Sequence, residues 1–155
     1  MDVREYFESV RDAQQSINGR LESIASMRER EGLRAQRYDL AGGGSGNHDA
    51  MRATDIRMDA EAAARQELEE LYAIIADARE ICRGIRAANP THRIWGDVLE
   101  FRYCDAMQWK QVGRALGICI RKAQIEHDNA LDWVETVGIA RARTGMGQAE
   151  LPLAR

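Results

Sequence analysis

The chain of 155 residues is poor in proline, cysteine and aromatic residues, and it lacks long apolar runs. The three cysteines are widely spaced and form no Cys-x-x-Cys pair, which argues against a disulfide framework or a zinc site and favours a reducing compartment. No apolar signal core opens the chain and no apolar run is long enough to span a bilayer, so we expect a cytoplasmic protein without a membrane partner. Alternating β-branched runs are also missing, which predicts an all-α fold.

The signatures of catalysis are missing as well. We find no nucleophile with a base at plausible spacing, no metal-ligand cluster and no glycine loop suited to phosphate. The glycine-rich segment 42–46 lacks a lysine and does not follow a strand, so it is interpreted as a flexible turn. We therefore predict a protein that is not an enzyme, with no catalytic residues, no metal and no cofactor.

Charge is distributed unevenly along the chain, although the net charge is only −3. Segment 109–122 carries four basic residues and no acidic residue, whereas segment 126–135 carries four acidic residues and no lysine or arginine. A helix with basic N-terminal turns and acidic C-terminal turns can approach phosphate only with its N-terminal turns. On charge alone, an ordinary solvated helix face is the favoured interpretation, and only the hydrophobic spacing described below reverses it.

Two long amphipathic helices are predicted in residues 1–89. In the first, over 3–37, Val3, Val10, Ile17 and Ile24 recur every seven residues. The second, over 52–88, has a coiled-coil-like seam of alternating three- and four-residue steps: Leu68, Leu71, Ile75, Ala78, Cys82 and Ile85. The glycine-rich loop 41–47 lets the chain reverse, which predicts a long antiparallel hairpin. Whether the seams pair within one chain or between chains is left open.

A boundary is expected at Asn89-Pro90, because a residue before proline is disfavoured in a helix. Helices are predicted at about 91–104, 108–116 and 119–137, which together make a second module over 90–137. Residues 138–155 lose hydrophobic periodicity and are predicted to be a flexible tail.

The second module has the spacing of a helix-turn-helix. Val112 and Leu116 point inward with small Gly113 between them, Gly117 makes the turn, and Ile118 is buried. In the third helix an inward face is predicted, on which a neutral, hydrogen-bonded His127 lies among Ala123, Ala130, Leu131 and Val134. Four residues remain at the front of that helix as candidates for DNA contact: Arg121, Lys122, Gln124 and Ile125. The alternative is a plain three-helix bundle with a basic edge.

The segments 98–103, 109–113, 116–118 and 130–131 (VLEFRY, WKQVG, LGI and AL) resemble the fourth region of sigma-70-type transcription factors. The layout of the whole chain is similar to phage and prophage proteins of the ArpU and RinA kind, which are implicated in control of late genes. The resemblance implies that Arg121, Lys122, Gln124 and Ile125 face DNA and that Arg114 contacts its backbone; Lys110 completes the candidate set. The chain departs from the sigma pattern at three positions: Cys119 for a capping serine or threonine, Gly113 for alanine, and Glu126 for an apolar residue.

These observations predict a DNA-binding transcriptional regulator of phage or prophage genes, acting in the cytoplasm of a bacterial host cell. Its recognition helix, at about 119–137, enters the major groove of double-stranded DNA. The long helices are expected to form a homodimer or a higher oligomer, and host RNA polymerase is a further candidate partner. Two alternatives remain: a small terminase-like subunit for DNA packaging, and a helical adaptor that binds host RNA polymerase or a sigma factor without contacting DNA.

Overall fold

A computed structural model describes the backbone of residues 2–41 and 47–147, and this part of the chain contains six α-helices and no strand. They are α1 (Val3–Ala41), α2 (Asn47–Ala88), α3 (Ile94–Leu99), α4 (Trp109–Leu116), α5 (Ile120–Val137) and α6 (Ile139–Arg143). The all-α prediction is confirmed. The centre of the predicted loop 41–47 and the end of the predicted tail lie outside the described residues. Within that described part, no helix has both the length and the apolar content that crossing a bilayer requires.

The chain forms two compact units: the first comprises residues 1–15 and 72–155, and the second residues 16–71. This grouping differs from the predicted division at residue 90, because the first turns of α1 and the last turns of α2 pack with the C-terminal helices. The rings of Phe7 in α1 and Tyr103 lie 5.3 Å apart. Arg86 of α2 also donates hydrogen bonds to Asp97 and Glu100, at 3.1 and 2.7 Å.

In the second unit, α1 and α2 run antiparallel. Its ion pairs join Arg20 to Glu67, Arg28 to Glu61 and Glu31 to Arg57, so positions rise along α1 as they fall along α2. The predicted antiparallel pairing of the long helices is confirmed here within one chain. Among the described side chains of this unit, only Ile17 and Leu68 are buried hydrophobic residues. The described part of this unit therefore buries few apolar side chains between its two helices.

The segment after α2 is less regular than predicted. Helix α2 ends at Ala88, and a 3₁₀ turn over Pro90–His92 precedes α3, consistent with the break expected at the proline. Helix α3 continues into a π-helical turn over Glu100–Cys104, closed by a hydrogen bond from the Asp105 amide to the Glu100 carbonyl at 3.1 Å. A π-turn holds one extra residue. Two neighbouring side chains of this turn, Tyr103 and Cys104, are both buried.

The crossing between α4 and α5 depends on two glycines. A Cβ atom added to buried Gly113 would lie 2.8 Å from the carbonyl oxygen of Ile118. The Ile118 amide donates to the Gly113 carbonyl at 2.9 Å, and Gly117 adopts a φ of 68°, which favours glycine. The predicted helix-turn-helix spacing is therefore present in the first unit, although Ile118 is half-buried rather than fully buried.

Helix α6 (Ile139–Arg143) lies within the segment 138–155 that the sequence predicts to be a flexible tail. In α6, Ala142 is fully buried, and its carbonyl oxygen contacts the position where Gly84 of α2 would carry a Cβ atom. Arg143 donates to Asp77 of α2 at 2.8 Å. The hydrophobic pattern did not indicate this helix because small residues, rather than a repeated apolar stripe, make its contact.

We predict that Gly113→Ala lowers the free energy of unfolding by about 1–3 kcal/mol, because the new methyl group overlaps backbone that cannot move freely. Urea unfolding followed by circular dichroism measures the change. The matched control is Gly19→Ala in α1, where no atom lies within 4 Å of the added Cβ. There alanine should stabilise the helix by up to about 1 kcal/mol. Equal effects at the two positions would contradict the close crossing.

Candidate nucleic-acid interface

Helix α5 has one buried and one exposed face, and the buried face is the predicted one. It carries Ala123, His127, Ala130, Leu131 and Val134. The first turns of the exposed face carry Arg121, Gln124 and Ile125, spaced by three and one residues so that they share one side of the helix. Ile125 is 46% exposed, although it is a large aliphatic residue. The front of α5 therefore presents a cation, an amide and an apolar group together.

Three of the basic candidates have side chains without an internal partner. Lys110 and Arg114 on α4 and Arg121 on α5 are all exposed. Across the described part of the chain, we find no ion pair or hydrogen bond made by these three side chains. Because α4 and α5 are joined by the short turn at Gly117, the three cations belong to adjacent helices of one motif. Their charge is available to an anionic partner.

Lys122 differs from the other candidates because it is paired within the protein. Its ammonium lies 2.6 Å from a carboxylate oxygen of Glu126, one turn later in α5. The indole N–H of Trp95 in α3 donates to the same carboxylate at 2.9 Å. The hydrogen bond from Lys122 is the main cause that lowers the pKa of Glu126, despite partial burial of this carboxyl. Glu126 thus links α5 to α3.

The acidic rear of α5 begins at Asp128. Arg4 of α1 lies 3.6 Å from this carboxylate, and the ring Nδ1 of His127 lies 2.9 Å from it. The negative charge of Asp128 is consequently partly neutralised. Asp132 and Glu135 remain exposed further along the helix. Only the first turns of α5 combine exposure with positive charge, which agrees with the charge pattern of the sequence.

The start of α4 is supported by contacts that sequence reasoning missed. The guanidinium of Arg102 stacks over the Trp109 ring at 4.7 Å and donates to the Met107 carbonyl at 3.0 Å. The side chain of Gln111 accepts a hydrogen bond from the Gln108 amide at 2.8 Å, which satisfies an amide at the helix start. The Gln-x-x-Gln spacing at 108–111 resembles a capping box and was the available signal. Cys119, at the equivalent position of α5, makes no capping hydrogen bond.

His127 is the buried polar group of the motif, and its contacts confirm the predicted satisfied histidine. Its Nε2 lies 2.7 Å from the Tyr103 hydroxyl, and Trp109 packs edge-on at 5.1 Å. A neutral ring satisfies both partners: Nδ1–H donates to Asp128, and Nε2 accepts from Tyr103. Burial lowers the pKa of His127, an effect that the nearby Asp128 opposes and that Arg4 and Arg102 reinforce. Burial also raises the pKa of Tyr103 to about 12.

Comparison with known proteins gives no match to a family model, to a curated protein or to a solved structure. Among the residues that the structure describes, no group of three or more histidine, cysteine, aspartate or glutamate side chains is placed to hold a metal ion.

We predict that the protein loses stability as the pH falls below the unfolded-state pKa of His127, about 6.5. Because the folded-state pKa lies lower, the unfolded chain binds the proton more readily, and the free energy of unfolding decreases with acidification. Urea unfolding between pH 7.5 and 5.5 measures this slope. His127→Gln should flatten it, whereas His92→Gln, at an exposed position, should leave it unchanged. An unchanged slope in His127→Gln would contradict the assignment.

Proposed function

We propose that the protein binds double-stranded DNA through its helix-turn-helix, with the first turns of α5 in the major groove. The observation that carries this proposal is the unpaired, exposed basic set on α4 and α5 beside the stripe of Arg121, Gln124 and Ile125. Recognition helices of this motif use their N-terminal residues to contact base edges. The acidic rear of α5 opposes any docking that lays the whole helix against phosphate.

Each exposed group of the stripe has a base partner of matching chemistry. Arg121 can pair with the two acceptors of guanine, Gln124 can pair with adenine, and Ile125 can contact the methyl group of thymine. Arg114 and Lys110 suit backbone phosphates, which position the protein without reading sequence. Lys122 contributes less, because its charge is engaged by Glu126.

We further propose that this DNA binding regulates transcription of phage or prophage genes. The support is the resemblance of residues 98–131 to the fourth region of sigma factors, together with the helix-turn-helix geometry of α3 to α5. The same resemblance suggests host RNA polymerase as a protein partner. The protein would act by binding alone, without a cofactor or a catalysed reaction.

A second copy of the chain is the proposed partner of the second unit. Among the described side chains of this unit few hydrophobic ones are buried, whereas six large ones are exposed: Leu21, Met27, Leu33, Met51, Ile56 and Met58. A groove of about 260 Å³ runs between α1 and α2 over Leu21, Ile24 and Leu68, edged by charges of both signs. Met58 lies on the groove side of α2, seven residues before the lining residue Arg65. Dimers of this motif bind two half-sites, which gives a dimer useful affinity.

We predict that Arg121→Ala weakens binding by about 1–3 kcal/mol and that Arg114→Ala lowers the slope of log affinity against log salt by about one. The probes are pooled phage-genome fragments and a random-sequence duplex, titrated by fluorescence anisotropy at several salt concentrations. Lys122→Ala should have a smaller effect than Arg121→Ala, because Lys122 already has a carboxylate partner. The matched control is Arg83→Ala, an exposed arginine of α2 paired with Glu80.

Full-strength binding by an Arg114→Ala/Arg121→Ala double variant would exclude this surface as the DNA reader. Absence of any DNA shift at low salt, combined with binding to purified host RNA polymerase, would favour the adaptor alternative. Binding that is uniform across sequences and vanishes with salt would indicate an electrostatic surface without sequence readout.

We predict a dimer in solution that dissociates when Leu21 and Met58 are both replaced by glutamate, because buried carboxylates would be unpaired at the contact. Light scattering coupled to size exclusion measures the mass. The control is Met146→Glu, at a methionine of the first unit that is 56% exposed. A wild-type monomer would contradict the proposal, and a ring of many copies would favour the packaging alternative.

A further inference from the structure

We propose that Ile120, the first residue of α5, is an additional specificity-determining residue that contacts the C5 methyl group of a thymine in the bound DNA. Together with Ile125 it forms an apolar pair, which requires a methyl group on each of two base pairs of the site. The assignment to DNA rests on the proposed function. Ile120 itself was not among the candidate residues that the sequence indicated.

The side chain of Ile120 is exposed, although it is large and aliphatic. Its exposed fraction is 44%, close to the 46% of Ile125. In the part of the first unit that the structure describes, the other exposed large hydrophobic side chains are Tyr72, Ile74 and Met146, none of which lies on α5. A single exposed isoleucine needs no explanation, whereas two within six residues of one helix form a patch.

The crossing of α4 and α5 holds the backbone of Ile120 in place. Its nitrogen lies 3.7 Å from the position where Gly113 of α4 would carry a Cβ atom. Immediately before it, the Ile118 amide donates to the Gly113 carbonyl at 2.9 Å. Side chains carried by rigid helices are positioned more precisely than side chains carried by loops. Ile120 therefore projects from a fixed point at the N-terminal end of the proposed recognition helix.

The apolar pair borders the polar groups of the same surface. At about 100° per residue, Gln124 and Arg121 lie between Ile120 and Ile125 around the helix. The major groove has a matching arrangement, because the C5 methyl group of thymine lies beside the polar atoms of the base edge, on the side nearer the sugar. Polar side chains at the centre can thus reach donors and acceptors while the two isoleucines contact methyl groups at the sides.

The two isoleucines are too far apart to contact one base pair. Five residues of α-helix rise about 7.5 Å, whereas successive base pairs are about 3.4 Å apart. Each isoleucine is therefore expected to contact a different base pair. Removal of one methyl group from such a contact lowers affinity about fourfold, and removal of two lowers it about fifteenfold.

The charge around the apolar pair favours DNA over an apolar protein surface as its occupant. Residues 109–125 include no acidic residue. Lys110, Arg114 and Arg121 are exposed and form no ion pair within the described part of the chain. The major groove brings methyl groups and flanking phosphates together, so it matches both the apolar pair and the cations.

The test removes methyl groups from the DNA. A phage-genome fragment that the wild type retains is prepared with thymine or with uracil, which gives two duplexes of equal phosphate charge. By fluorescence anisotropy, the wild type should bind the uracil duplex about fifteenfold more weakly. The slope of log affinity against log salt should be the same for both duplexes, because no phosphate contact changes.

Single thymine-to-uracil replacements then assign each methyl group to a side chain. Ile120→Ala should lose the discrimination at one base pair, and Ile125→Ala should lose it at another, as in a double-mutant cycle. The matched control is Met146→Ala, which should keep both, because this exposed side chain of the first unit lies outside α5. The melting temperature of Ile120→Ala should equal that of the wild type, which separates a lost contact from a lost fold.

The outcomes separate this inference from the proposed function. Equal binding of the thymine and uracil duplexes by the wild type would overturn the apolar pair and leave DNA binding intact. Discrimination that Ile120→Ala retains at every base pair would overturn the role of Ile120. If the wild type binds no duplex at any salt concentration, both the proposed function and this inference fail. Weaker binding of Ile120→Ala to purified host RNA polymerase would in that case identify a protein interface.

Discussion

The buried hydrogen bond between Tyr103 and His127 is the interaction on which the first unit depends. Tyr103 brings the π-helical turn into contact with Phe7 of α1, and His127 brings α5 into contact with Trp109 of α4. Four segments thus meet at one polar pair, which is stable in an apolar core only because each partner satisfies the other. This hydrogen bond, in which His127 accepts from Tyr103, requires a neutral histidine ring.

This pair also determines which residues of α5 reach solvent. With His127 directed inward, the first turns of the helix direct Arg121 and Ile125 outward. Glu126 lies at the edge between the two faces, where it binds Lys122 and Trp95 and strengthens the contact to α3. The surface charge of the motif is therefore a consequence of its core. The same constraint leaves Arg121 exposed to a partner, whereas Lys122 is paired with Glu126.

Sequence patterns predicted the elements that depend on local spacing. Apolar residues at helical intervals indicated the buried face of α5, and Gly113 and Gly117 indicated the close crossing and the turn, because few other residues permit that geometry. Contacts between small residues far apart in sequence carried no such signal. The packing of α6 on Gly84 therefore became apparent only in three dimensions. The ion pairs between α1 and α2 were hidden for a similar reason, since charged residues of this kind occur on any exposed helix.

The order in which the chain builds its two units has a consequence for how such proteins can diversify. The chain leaves the first unit after residue 15 and returns at residue 72, so the second unit is an insertion within the first. Adding or removing whole helical repeats in both α1 and α2 would alter the insertion while preserving every contact around Tyr103. The length of the second unit can thus vary, and related chains could differ greatly in size while keeping the same exposed surface on α4 and α5.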